Sequence, residues 1–425
     1  MSDFVILSNE AHFEADVLKS GVPTAVCFYS EDCLPCLTFT EIFNRTAAAV
    51  DGQMKFIKIL RPQNRALSEK YSVKSSPTVI FFKDGKEVCN RLSGYINHLE
   101  LKETVEQVLE KPCSTAQRSI VRCDVLIIGA GPAGLTSAIY TSRSRLQTVV
   151  IESNLPGGQV ATTFHVANYP GTNGVVRGLD LMENMKKQAL DFGARIDDLQ
   201  HIIEINLSGA EKFIRTENND YYAKSVIIAT GSEPRKLPVE GERDYRGRGI
   251  HYCATCDGAL YQDADVTVVG GGESALEEAG FLSRYARSIT ILNRSDHFKA
   301  AKTSVDEALK NPSISVKWNT VVKELRGDNF LHSVILEDVK TGEQNEFKTD
   351  GVFVYIGTQP NSDIFSKQVN MTESGYILTD ENMATNIPGV FAAGDVRNKT
   401  IRQISTAVGD GTIAGMMVEK YINLK

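Results

Sequence analysis

The chain has no excess of basic residues, no apolar run of membrane-spanning length and no dense cysteine scaffold. Its 46 lysines and arginines against 53 aspartates and glutamates leave a formal charge of -7 and a pI near 5.7. That balance argues against a nucleic-acid or anionic-membrane surface. Apolar stretches such as 125–128 are strand-length and end at glycine, and residues 1–10 show neither a basic nor a long apolar leader. The expectation is a soluble, cytoplasmic protein. With 42% hydrophobic and 23% charged residues there is no disordered bias, and the length suffices for roughly two to four domains.

Eight cysteines, at 27, 33, 36, 89, 113, 123, 253 and 256, are too few and too unevenly spaced for a secreted disulfide framework. Four of them form two C-x-x-C pairs, which in a reducing compartment signify redox or metal chemistry. Zinc needs four ligands, and no second C-x-x-C or His pair follows Cys253 and Cys256 at a finger-like spacing, so no metal is expected. Cys27 and Cys123 adjoin strand-like runs and read as small hydrophobes. Cys113 reads as an incidental linker residue.

The stretch His251-Tyr252-Cys253-Ala254-Thr255-Cys256-Asp257-Gly258 reads as a dithiol centre. At the start of a helix, unpaired N–H groups and the helix dipole favour a thiolate. Asp257 is placed to supply or take the proton of thiol exchange. On these residues alone, two cysteines in a turn remain an open alternative.

Residues 1–110 form a small α/β unit. A strand at 25–29 runs into Cys33-Leu34-Pro35-Cys36; a helical stretch (37–50), a strand (54–60), a strand with a hairpin signal (79–90) and an amphipathic helix (99–110) follow. This order resembles thioredoxin over roughly 105 residues. The resemblance is carried by Cys33-Leu34-Pro35-Cys36 and by Ser76-Pro77-Thr78. It implies a cis bond before Pro77, Cys33 as the attacking thiol and Cys36 as the resolving one. It also shows departures: Asp32 replaces a tryptophan, Leu34 a glycine, and Cys27 a buried carboxylate, which leaves Lys58 without its partner. A negative Asp32 should raise the Cys33 thiol relative to a tryptophan there. Residues 111–121 form a linker of at most roughly 40 Å.

An apolar strand at 124–128 then enters Gly129-Ala130-Gly131-Pro132-Ala133-Gly134 and a helix, and the next strand ends in Glu152. That context suits a dinucleotide, with pyrophosphate on the helix N-terminus and a ribose hydroxyl on Glu152. A second strand, turn and helix recurs at 266–275, with Gly270, Gly272, Glu273, Ser274 and Ala275 in the turn and helix start. Two nucleotide modules with a dithiol between them describe a relay from pyridine nucleotide to flavin to disulfide.

From 122 to 425 the chain resembles a low-molecular-weight bacterial thioredoxin reductase. The motifs are the first glycine loop, Gly157-Gly158-Gln159, Asn168-Tyr169-Pro170-Gly171, Ala229-Thr230-Gly231, the Cys253 to Gly258 stretch, the second glycine loop, and Gly394-Asp395 with Arg402-Gln403-Ile404. The resemblance implies an α/β chain: an N-terminal thioredoxin fold (1–110) and two Rossmann-like domains. An FAD domain is split into 122–235 and 359–425 around a pyridine-nucleotide domain at 236–358 that carries the dithiol. It further implies a homodimer, Cys256 next to the flavin, Cys253 attacking the partner disulfide, Asp257 as acid/base, Asp395 on the ribityl chain, and domain rotation with hinges near Lys236 and Gln359.

Relatives selective for NADPH carry His-Arg-Arg after the second strand of the nucleotide domain. Here that triplet is Asn293-Arg294-Ser295, with Lys299 further on. One guanidinium and one ammonium remain for a 2′-phosphate, and no acidic residue ends the strand to select NADH. NADPH is expected over NADH. The resulting reading is a thioredoxin-disulfide reductase with a built-in thioredoxin. Its partners are that domain, in the same chain or across a dimer, and protein disulfides. A peroxiredoxin reductase is the nearest rival, although that family has a doubled N-terminal region. A ferredoxin-fed enzyme and an N-terminal binding module with idle cysteines are weaker alternatives.

Overall fold

Strand, glycine turn and helix recur along the chain, and each recurrence seeds a sheet. The structure, a computed structural model, describes all residues except 1–3, 32, 74, 114–117, 164, 165, 167, 329 and 425, and excepting also the side chains of residues 34, 255, 256 and 259. The class is α/β.

In the N-terminal unit the strand order is Val5–Ser8, Lys55–Leu60, Thr24–Tyr29, Thr78–Lys83, Lys86–Glu87, with Leu92–Ser93 also pairing Thr78–Lys83. Thr24–Tyr29 is central, parallel to Lys55–Leu60 and antiparallel to Thr78–Lys83. Both its faces are covered, which accounts for its unbroken apolar run. The helices Leu34–Ala49 and His98–Leu109 cover one face with Phe39, Ile42, Phe43, Leu101, Val105 and Val108. Asn97 and Glu100 form a reciprocal capping box that fixes where the second helix begins. The Ser76–Pro77 peptide is cis, as the resemblance to thioredoxin implies.

The next sheet has seven strands, in the order Ile202–Asn206, Lys212–Thr216, Asn219–Ile228, Ser119–Ile128, Thr148–Ile151, Arg195–Asp197, with Val390–Ala392 alongside Asn219–Ile228. Ser119–Ile128, the earliest of these strands along the chain, begins three residues inside the stretch read as linker. Asn219 to Ala223 extend beside Ser119 to Cys123 as a parallel partner and satisfy that backbone. The third sheet is parallel: Ile250–His251, Gly351–Val354, Asp265–Val269, Ser288–Asn293, Ile314–Trp318. A three-stranded antiparallel sheet, Thr320–Gly327, Leu331–Asp338 and Gln344–Lys348, packs beside it. The chain passes between the second and third sheets through one antiparallel ribbon, Ser232–Pro234 with Thr358–Pro360. Among the described residues no helix is long and apolar enough to cross a membrane.

Candidate functional site

Cys253 has extended backbone and caps the four-residue helix Ala254–Asp257, which continues into the 3-10 turn Gly258–Tyr261. It is disulfide-bonded; the side chain of Cys256 lies outside the described residues. The Ala254 N–H donates to the Tyr355 hydroxyl at 2.5 Å. Asp257 Oδ2 lies 2.9 Å from His251 Nδ1, and His251 Nε2 lies 2.7 Å from the Tyr261 hydroxyl. Burial, followed by the Asp257 charge, pushes the Tyr261 phenol up, so it keeps its proton. With Nδ1 facing a carboxylate, the proton on that nitrogen is directed at Asp257. His251 is buried and stacked on Phe353, with ring centroids 5.1 Å apart. The strand ending at His251 and the helix ending at Asp257 thus hold one carboxylate in a fixed orientation.

Sequence reasoning missed His251, Tyr261, Tyr355 and Glu278. Burial, then Glu277, raises the Glu278 carboxyl to about 7, and Glu278 Oε2 is buried with no hydrogen-bond partner. Its charge in turn adds to the burial that raises Tyr355. The available signal was its place between Ala275, Leu276, Ala279 and Leu282, the buried positions of its helix, where an acid needs a reason.

The first glycine loop gathers pieces distant in sequence. Gly131 caps the helix Pro132–Arg143, whose first turn has Pro132 at its start. A Cβ on Gly134 would lie 1.8 Å from the Gly129 carbonyl oxygen, and one on Gly129 would lie 2.4 Å from the Ala229 oxygen. Ala130 N–H donates to Glu152 Oε2 at 2.8 Å, and Asn154 N–H to Oε1 at 3.0 Å. Gly158 crosses the loop so closely that its Cβ would come within 3.2 Å of Gly131 Cα; Gln159 follows in the short helix Gly158–Ala161. Thr230 Oγ1 donates to the Asn361 carbonyl at 2.6 Å, and Asn361 N–H to Gly231 O at 3.0 Å. Asn168 donates to Gln403 at 3.1 Å across the cleft. Gln403 caps the helix Ile404–Asn423. Gly394 packs on Ala133, and its N–H donates to Asp410.

Asp410 is ringed by Arg397 at 3.0 Å and Lys399 at 3.2 Å, and Lys399 also lies 3.0 Å from Asp395 Oδ1. That last contact lacks hydrogen-bond alignment, so Asp395 Oδ1 is a buried acceptor with no bonded donor. Arg402 lies over the Tyr376 ring at 4.2 Å, and its Nε is likewise buried without a hydrogen-bond partner. Arg402 Nε, buried without a hydrogen-bond partner, and a glycine-capped helix N-terminus without a side-chain cap fit a flavin dinucleotide.

At the second loop Gly272 caps the helix Glu273–Leu282, and a Cβ there would meet nothing within 4 Å. Gly270 has φ +152 and no room for a Cβ beside the Tyr355 carbonyl. Ser274 is exposed and Ala275 buried. The Glu273 carboxylate is occupied by Ala301 N–H at 2.8 Å and by the Ser304 hydroxyl. Asn293 holds its own turn through His297 O at 2.8 Å and Ser295 N–H at 3.2 Å. Arg294 and Lys299 are both exposed beside the loop, with Lys299 N–H donating to Gly271 O at 2.7 Å. The open Gly272 edge and these two cations fit the phosphates of a pyridine nucleotide.

The N-terminal dithiol is a Cys33–Cys36 disulfide with Cα atoms 5.2 Å apart. Cys33 caps the helix Leu34–Ala49 and is half-buried; Cys36 is buried. Cys33 Sγ lies 3.1 Å from the Ser76 carbonyl oxygen, immediately before cis Pro77. Burial pushes the Cys27 thiol up to about 12. Lys58, lowered by burial, donates to Thr40 Oγ1 at 2.9 Å, and Thr40 donates to the Cys36 carbonyl at 2.7 Å. Its ammonium also lies 4.5 Å from the centre of the Tyr29 ring. A hydroxyl and a ring therefore stand where the missing carboxylate would have paired it. Asp32 and the Leu34 side chain lie outside the described residues.

The pyridine nucleotide-disulphide oxidoreductase family matches residues 123–411, and the thioredoxin family matches residues 4–107. The chain is similar to a 34.2 kDa protein in the rubredoxin operon of Clostridium pasteurianum, 50% identical over 71% of this chain and 98% of that protein. It is similar to the thioredoxin reductase of Bacillus subtilis, 45% identical over 70% of this chain and 94% of the relative. Among solved structures it is similar to a thioredoxin reductase from Streptococcus pyogenes, with a TM-score of 0.67 and 42% identity over 72% of this chain and 99% of that one.

Proposed function

Since the chain belongs to the pyridine nucleotide-disulphide oxidoreductase family, as a thioredoxin reductase preceded in the same chain by a thioredoxin domain, we propose that it carries electrons from NADPH, through FAD and the Cys253–Cys256 pair, to Cys33–Cys36 and on to protein disulfides. The observation that supports this most strongly is the presence of two redox disulfide positions, Cys253 and Cys33–Cys36, in one chain with two dinucleotide loops. When bound, a flavin would supply two-electron chemistry between a nicotinamide and a disulfide. The residues of the first loop, with Glu152, Gly158, Asp395 and Arg402, would hold it; Gly272, Arg294 and Lys299 would hold the nucleotide.

The exchange chemistry belongs to the protein. A Cys253 thiolate attacks Cys33 Sγ, the Cys33–Cys36 bond breaks, and Cys36 leaves as a thiolate that takes a proton. Cys256 then attacks Cys253, releasing Cys33 and restoring the Cys253–Cys256 disulfide; one electron pair has moved. Asp257 is the acid/base, and His251, tied to Tyr261, is a positioning residue that aims its carboxylate. The ribbon joining Ser232–Pro234 to Thr358–Pro360 is the hinge about which the dithiol leaves the flavin. A homodimer in the cytoplasm completes this reading.

For the nucleotide, kcat/KM should favour NADPH, and Arg294→Ala should lower that preference by about tenfold. A wild-type preference for NADH above about tenfold would exclude the 2′-phosphate assignment.

A further inference from the structure

We propose that the thioredoxin domain is reduced in cis, docked by its dithiol face across both nucleotide units of its own chain and steered there by the pairs Arg45–Asp198 and Lys102–Glu217. The proposal rests on the relay described above. On the nicotinamide side, Ser75 Oγ donates to Asp244 at 2.5 Å, Glu100 pairs with Arg243 at 2.5 Å, and Arg248 donates to the Ser76 carbonyl at 3.3 Å. On the flavin side, Arg45 meets Asp198 at 2.6 Å and Lys102 meets Glu217 at 3.0 Å, and His98 N–H donates to Asn154 at 3.1 Å. Tyr95 touches both sides: its hydroxyl donates to the Thr162 carbonyl at 3.1 Å, and its ring lies under Arg246 at 5.5 Å.

The fit is built into the main chain. Gly94 has φ +69, and a Cβ there would strike the Arg243 carbonyl oxygen at 2.7 Å, so no side chain separates the two backbones. Leu155 and Leu199 of the flavin unit pack against the apolar core of the N-terminal domain. The charges are mixed in sign on each surface, and Arg45 and Lys102, which also pair with Glu41 and Glu106 of their own helices, meet acids across the interface, which selects this partner against others. A covalent tether adds effective concentration to contacts that are weak singly.

The docked geometry also bears on the chemistry. Cys33 Sγ and the Arg248 guanidinium converge on the same Ser76 oxygen, and Arg248 lies in the segment that leads through Ile250–His251 to Cys253. When Cys33 is released as a thiolate, a cation stands beside it. The same face cannot meet a client while it is docked, and a domain that grips both nucleotide units must let go before they rotate.

The test uses the full-length, flavin-loaded chain and follows the appearance of Cys33 and Cys36 thiols after mixing with NADPH. The rate constant should be unchanged on roughly fiftyfold dilution. Arg45→Glu with Lys102→Glu should lower it about tenfold and make it concentration-dependent, while Asp198→Arg with Glu217→Lys added should restore it to within about twofold, which also certifies folding. Mixing Cys33→Ser chains with Cys256→Ser chains should give no insulin reduction. A rate proportional to concentration, a charge reversal without effect, or activity recovered on mixing would each overturn docking in cis. Failure of the relay itself is distinct, because no thiol would then form in the N-terminal domain at any concentration.

Discussion

Cys36→Ser is expected to cut NADPH-driven reduction of insulin by about a thousandfold or more, while the rapid flavin-bleaching phase after mixing with NADPH keeps its wild-type rate constant. The serine removes the disulfide that Cys253 attacks, so the N-terminal domain has no oxidised form to accept electrons. The rest of that domain is barely disturbed. Cys36 is buried on the first turn of Leu34–Ala49, where an oxygen replaces a sulfur of similar shape, and the Thr40 bond to its carbonyl does not involve the side chain. Insulin turnover and stopped-flow absorbance read the two effects separately. If insulin reduction survives, the N-terminal dithiol is not on the path, and the domain is a binding module.

Gly134→Ala should yield protein with little or no bound flavin and an unfolding midpoint well below wild type. The added Cβ would lie 1.8 Å from the Gly129 oxygen and 2.9 Å from its carbonyl carbon, inside any van der Waals contact. Relief requires the helix Pro132–Arg143 to lift from the strand Ser119–Ile128, but Leu135 and Ala138 of that helix are fully buried. Overpacking of this kind costs on the order of 1–3 kcal/mol or more, and it falls on the loop that must accept the pyrophosphate. Gly280→Ala is the control: its Cβ meets nothing within 4 Å, so flavin content stays unchanged and stability rises by up to about 1 kcal/mol. Flavin absorbance per chain and thermal unfolding measure both. A fully loaded Gly134→Ala protein would mean that the loop does not carry the flavin.

Local signals were legible in the sequence. Both glycine turns, both C-x-x-C pairs and the strands that lead into them depend on residues adjacent along the chain, and the structure places them where their periodicity indicates. The start of the second sheet was misjudged because Ser119, Ile120 and Val121 carry no strand pattern of their own; Ile120 is 69% exposed, and the pairing comes from Asn219 to Ala223, far along the chain. The hydrogen-bonded line from Tyr261 through His251 to Asp257 was illegible for a related reason. It joins a strand end to a short helix and a 3-10 turn; positions 257 and 261 are one helical turn apart, but no period carries that spacing back to 251 on the strand. The roles of Glu273 and Asn293 depended on what else reached them: Glu273 is taken up by Ala301 and Ser304, and Asn293 by its own turn. The contacts between the N-terminal domain and the nucleotide units pair residues far apart along the chain, from His98 with Asn154 to Ser75 with Asp244, and a single sequence offers nothing from which to read them.

The relay is tested most directly by anaerobic titration with NADPH, counting the equivalents consumed. A flavin and two dithiols make three two-electron centres, so the wild-type chain should take up about three equivalents and Cys33→Ser about two. Equal uptake by the two proteins would contradict electron transfer to the N-terminal domain.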